Sequence, residues 1–78
     1  MADRHPPRRL DLSGLLCPLP VLKAGKQLDA MASGEILEVI ATDPMSVIDM
    51  PHFCSEQGHE LIGQETAGAH HTFRIRRK

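Results

Sequence analysis

The chain has little aromatic surface: no tryptophan, no tyrosine and two phenylalanines in 78 residues. Modules that hold single-stranded nucleic acid stack bases on flat rings, so direct nucleic-acid binding is not expected. No apolar run approaches the ~18 residues that a membrane-spanning helix needs. The opening Met1-Ala2-Asp3-Arg4-His5-Pro6-Pro7 has no apolar stretch of the kind a secretory signal carries. The expected compartment is therefore the cytoplasm, where thiols stay reduced. Two cysteines, Cys17 and Cys54, are too few for a disulfide framework. Basic residues are missing from the middle of the chain. All nine Lys and Arg lie at positions 4–26 or 74–78, while the stretch from Gln27 to Phe73 holds eight acidic residues and none of them. The separation reads either as ordinary solvated surface or as a basic patch where the chain ends meet, fit for an acidic partner.

What is present suits one small domain. A chain of this length buries only about 60% of the surface it exposes when unfolded, which leaves little room for an enclosed active site. Residues 1–8 are polar, basic and contain Pro6-Pro7, and read as a flexible tail; residues 9–78 read as the folded domain. Arg9 to Leu12 alternates with the period of a short strand, and Ser13-Gly14 breaks it. A helix is predicted to start at Pro18, since proline is favoured in the first turn, and Val21, Leu22, Ala24, Gly25, Leu28 and Met31 follow at helical spacing. Ser33-Gly34 is expected to stop it. Glu35 to Ala41 is rich in β-branched residues and reads as a strand. Asp43 is expected to cap a second helix with Pro44 at its first position and Val47, Ile48, Met50, Phe53 and Cys54 on its apolar side. Pro51 is expected to kink or restart that helix, and Gly58 to end it. Glu60–Thr66 and His70–Arg77 form a hairpin through Ala67-Gly68-Ala69, with His70 and His71 exposed. The fold class is therefore α+β: a two-layer sandwich of order βαβαββ, with a mixed four-stranded sheet and both helices on one face. The first two strands are expected to be parallel.

The chemistry points to Cys17. It precedes the predicted helix, where free N–H groups and the helix dipole favour an anion. A thiolate gains from such a place, so the expected pKa of Cys17 lies below that of a free cysteine, against desolvation by Leu15, Leu16 and Leu19. Pro18 and Pro20 stiffen the turn, and Asp11 reads as the residue that fixes the turn before Cys17 rather than as a base. A Cys-x-x-Cys pair would resolve a mixed disulfide, but the second such position here is Pro20. A thiol that carries sulfur should lack such a neighbour. The bland reading is a buried, inert cysteine beside a helix cap. Cys54 reads as a small core residue, or alternatively as a second acceptor thiol. His52, Cys54, His59 and Cys17 fit no standard zinc spacing, so no metal is expected.

The run Leu10-Asp11-Leu12-Ser13-Gly14-Leu15-Leu16-Cys17-Pro18-Leu19-Pro20 resembles the signature of the TusA/SirA-like sulfur carriers. The likeness continues through Gly34-Glu35, Asp43-Pro44, Asp49-Met50-Pro51, Phe53-Cys54 and His59-Glu60-Leu61, and covers roughly residues 9 to 77. Leu19 stands where some members carry an acidic residue. The resemblance implies that Cys17 carries sulfane sulfur as a persulfide, with Asp11, Gly14, Pro18 and Pro20 supporting it and no bound cofactor. It further implies a protein donor, either a pyridoxal-phosphate cysteine desulfurase or a rhodanese, and a downstream relay protein. Family pathways include tRNA thiolation, sulfur oxidation and cofactor biosynthesis. A monomer is expected. Leu15, Leu16, Leu19 and Lys23 are the expected donor contact, with Arg74 and Arg76 on the open sheet face as electrostatic steering. The rival readings are a regulatory module that uses Cys17 as a redox sensor, and a small RNA-binding domain that uses the basic ends.

Overall fold

Alternation in the strands and four-residue spacing in the helices bury one set of side chains between two layers. The computed structural model describes residues 8–78; the expected tail lies outside these apart from Arg8, which opens the first strand. The elements are β1 (Arg8–Leu12), α1 (Leu19–Asp29), β2 (Ile36–Ala41), α2 (Ser46–Gln57), β3 (Glu60–Ala67) and β4 (His70–Arg76). They form one sheet of order β1-β2-β4-β3. β1 and β2 are parallel, and the other two pairings are antiparallel. The mixed βαβαββ sandwich is the architecture expected.

β2 is the central organiser. Leu37, Val39 and Ala41 are buried, while Ile36, Glu38 and Ile40 on its other face are half-buried. Their β4 partners follow suit: Phe73 and Ile75 are buried opposite Val39 and Leu37. α1 closes this layer with Pro20, Ala24 and Leu28, and α2 with Ser46, Met50 and Cys54, each set repeating every fourth residue. Phe53 reaches across to α1, where a Cβ on Gly25 would stand 3.3 Å from its ring, so glycine there lets the helices approach.

Several element ends differ from the expectation. α1 starts at Leu19, with Pro18 as its N-cap, and ends at Asp29, four residues before Ser33. Gly34 lies instead in the turn ahead of β2: its φ is 89°, and its N–H donates to the Arg77 carbonyl at 2.8 Å. α2 starts at Ser46, because Asp43-Pro44-Met45-Ser46 forms a turn ahead of it. That start turns Val47 and Ile48 outward, with Ile48 64% exposed. Leu22 of α1 also faces out. Pro51 neither ends nor restarts α2, which runs through it to a left-handed Gly58. The β3–β4 turn is the pair Gly68-Ala69, and β3 carries an irregularity between Leu61 and Gly63.

Cys54 is 2% exposed. Burial pushes its thiol up to about 11. The unfolded chain releases this proton near pH 9 while the native state keeps it to about pH 11, so the native state binds more protons between the two. Stability should therefore fall by about 2 kcal/mol across that window. Denaturant melts against pH will show the drop in the native chain and a smaller one in Cys54→Ala.

Candidate functional site

The loop between β1 and α1 leaves the sheet at Leu12 and is held at each step by named hydrogen bonds. The Asp11 carboxylate accepts from the Ser13 hydroxyl at 2.6 Å and from the Ser13 N–H at 3.0 Å. These bonds hold its pKa below the usual carboxylate value. Asp11 thus braces the turn that follows β1. Gly14 has φ of 85°, a conformation that favours glycine, and its N–H donates to Thr42 Oγ1 at 2.8 Å. Leu15 donates back to the Leu12 carbonyl at 3.2 Å and packs against the core. The Cys17 N–H donates to Asp43 Oδ2 at 2.6 Å. The Cys17–Pro18 peptide is cis.

The consequence is an exposed thiol on a braced loop. Pro20 is buried and anchors the first turn of α1. Leu16, 67% exposed, and Leu19 flank the sulfur on the outside. Met45 and Ile48 add apolar surface at the start of α2, which the Cys17–Asp43 bond brings alongside. A groove of about 250 Å³ opens from Pro18 between the helices, lined also by Val21, Asp49, His52, Phe53, Glu56 and Gln57.

The electrostatics reverse the expectation for Cys17. The Asp49 carboxylate, as an acceptor for the thiol proton, raises its pKa above the ordinary cysteine value; desolvation and the charges of Asp49 and Asp43 add to the rise. The N-terminus of α1 does not offset this. Of the three residues after Cys17, Pro18 and Pro20 have no N–H, and the Leu19 N–H is taken by the Leu16 carbonyl at 2.9 Å. The prolines that suggested an anion site remove two of the donors such a site would use.

The remaining candidates do not converge on Cys17. Lys23 lines a separate depression with Leu10, Lys26, Gln27 and Ala30, on the β1 side of α1. Arg74 and Arg76 lie on the open sheet face beside Glu38 and Ile36. They pair with Glu65 at 4.0 Å and with Glu60 at 2.8 Å. Arg76 is opposite Ile36, whereas the Cys17 loop departs from the Leu12–Ala41 row at the other end, roughly 17 Å away along the strand. Arg9, Arg74 and Arg76, from the two ends of the chain, lie on the sheet paired with Glu38, Glu65 and Glu60 respectively. Sequence reasoning missed Thr42, Asp49 and the second role of Asp43. Among the described residues no cluster of three or more His, Cys, Asp or Glu side chains is arranged to hold a metal, and no helix is long and apolar enough to cross a membrane.

A two-layer α+β domain that presents one exposed thiol on a braced surface loop, with apolar residues around it, is an arrangement suited to a small group carrier. The chain matches the family described as Sulfurtransferase TusA over residues 8–77, and belongs to it. It is 49% identical over 70 residues to the sulfur carrier protein TusA of Allochromatium vinosum, covering 90% of this chain and 92% of that protein. It is 42% identical over 78 residues to the sulfur carrier protein TusA of Pseudomonas entomophila, covering 100% of this chain and 98% of the relative. Its role is accordingly that of a sulfur carrier.

Proposed function

We propose that Cys17 is the residue that bears the sulfur and that it works as a persulfide relay between proteins. The observation that supports this most is the contrast between the two thiols: Cys17 is exposed on the braced loop, and Cys54 is buried in the core. The Cys17 sulfur, giving up its proton toward Asp49, attacks the terminal sulfur of a donor persulfide. The donor S–S bond breaks, its electron pair leaves on the donor cysteine as a thiolate, and Cys17 holds the new persulfide. The exchange is isoenergetic in kind, one S–S bond for another, so it needs no external oxidant or reductant. Delivery to the next protein repeats it with Cys17 as the leaving thiolate. A donor of the cysteine desulfurase or rhodanese type suits this chemistry, and a downstream acceptor completes the relay. Because the resting carrier must be a free thiol, a reducing compartment such as the cytoplasm fits the cycle.

The donor contact is assigned to Leu16 and Leu19 with Met45 and Ile48, exposed apolar residues of the two segments that the Cys17–Asp43 bond joins. Leu19→Asp should lower transfer from a cysteine desulfurase about tenfold, the effect of losing about 1.4 kcal/mol of contact energy. The assay is label transfer from radiolabelled cysteine. A carrier also passes the label on to a second thiol protein, whereas a redox sensor retains or loses it. Unchanged transfer by Leu19→Asp would move the contact elsewhere.

A further inference from the structure

Asp43 is 6% exposed, and both of its carboxylate oxygens are engaged. Oδ1 accepts the Met45 N–H at 3.1 Å, closing the turn ahead of α2. Oδ2 accepts the Cys17 N–H at 2.6 Å, across 26 residues of chain. Among the described residues no cation forms an ion pair with it. The turn alone would be served by asparagine or serine as well, since either side chain accepts an N–H two residues on. Only a carboxylate offers two acceptors aimed at two neutral donors. Its charge even opposes the chemistry nearby, because a negative group beside Cys17 disfavours the thiolate. What Asp43 supplies is therefore geometry.

We propose that Asp43 is a positioning residue for protein-to-protein sulfur transfer: by holding the Cys17 and Met45 N–H groups on one carboxylate, it fixes the sulfur relative to the start of α2. The apolar surface a partner meets is split between the two segments that Asp43 ties together, with Leu16 and Leu19 on one side and Met45 and Ile48 on the other. A partner that docks across both finds the sulfur at a set place only while the tie holds. Thr42 acts in the same sense one residue earlier, through the Gly14 N–H. This inference rests on the carrier reading of Cys17.

The test separates reactivity from placement. Asp43→Asn turns an amide N–H toward the Cys17 N–H. Asp43→Ser keeps an acceptor for Met45 and cannot reach Cys17. Each folded variant is loaded near neutral pH from glutathione persulfide, a small donor, and from a cysteine desulfurase charged with radiolabelled cysteine. Uptake from the small donor should hold or rise, because a negative charge beside the thiol has gone. Uptake from the desulfurase should fall by on the order of ten- to a hundredfold, the scale of a misplacement of about 1 Å. Parallel change with both donors, or unchanged uptake from the desulfurase, overturns the proposal. In the native chain the Cys17 amide should be protected from hydrogen exchange, and exchange at the rate of an unstructured peptide would also overturn it. If Cys17→Ser still takes up sulfur, the carrier reading itself fails. If Cys17→Ser loses uptake while the Asp43 variants match the native chain, the positioning role alone fails.

Discussion

Cys17→Ser should abolish sulfur uptake, and Cys54→Ala should leave it within about twofold of the native chain, the small change expected where a substitution does not touch the reacting groups. A serine hydroxyl ionises too weakly to attack a persulfide without a dedicated base, and the bond it would form is not an S–S bond. Cys54 is excluded on two grounds. It is buried among Met50, Phe73 and the other core residues, so no donor sulfur can reach it. With its pKa at about 11, about one molecule in ten thousand carries that thiolate at pH 7. The cost of Cys54→Ala should instead appear in stability, at about 1 kcal/mol for a small cavity. Label transfer from a charged cysteine desulfurase measures the first effect and a denaturant melt the second. Transfer by folded Cys17→Ser, or its loss in folded Cys54→Ala, would reassign the sulfur site.

The second large effect is on the pH profile of Cys17. Alkylation rate against pH should show a midpoint above that of free cysteine, because Asp49 holds the thiol proton and Asp43 adds a second negative charge nearby. Ionising the thiol places a negative charge beside negative charges, so their removal must lower the midpoint. Asp49→Asn should therefore shift the profile to lower pH and speed alkylation at neutral pH, while leaving Asp43 and the loop in place. The resting carrier is then mostly thiol, and so protected from adventitious oxidation, which follows thiolate character. A midpoint below that of free cysteine would restore the helix N-terminus as the dominant influence. An Asp49→Asn profile identical to that of the native chain would remove Asp49 from the account.

The layers were legible because burial imposes short periods. The alternation in Ile36–Ala41, and Ala24 and Leu28 four residues apart, mark faces whatever the tertiary detail. Cys17 was legible from the Cys-Pro-x-Pro run and from the lack of a neighbouring thiol. The partners of Cys17 were not, because they depend on register. β1 and β2 run parallel with Leu12 beside Ala41, so Thr42 and Asp43 emerge level with the turn that starts at Ser13. Reading Asp43-Pro44 as a helix cap was locally sensible, and it hid a bond spanning 26 residues. The same limit explains the reversed pKa expectation: proline at a helix start is visible in a sequence, but the carboxylates that face the sulfur are brought there from α2 and the segment before it. Arg74 and Arg76 were placed on the correct face, yet their glutamate partners come from β3 and their distance from Cys17 comes from the antiparallel run of β4.

The central claim is that sulfur travels covalently on Cys17. The native chain is incubated with a charged cysteine desulfurase, trapped with an alkylating reagent, digested, and its peptides fragmented in a mass spectrometer. The account predicts one additional sulfur atom, carried on the peptide that contains Cys17 and released by a thiol reductant, with the Cys54 peptide unmodified. Added sulfur on Cys54, or label that stays with the protein while neither cysteine peptide gains a sulfur, would contradict it.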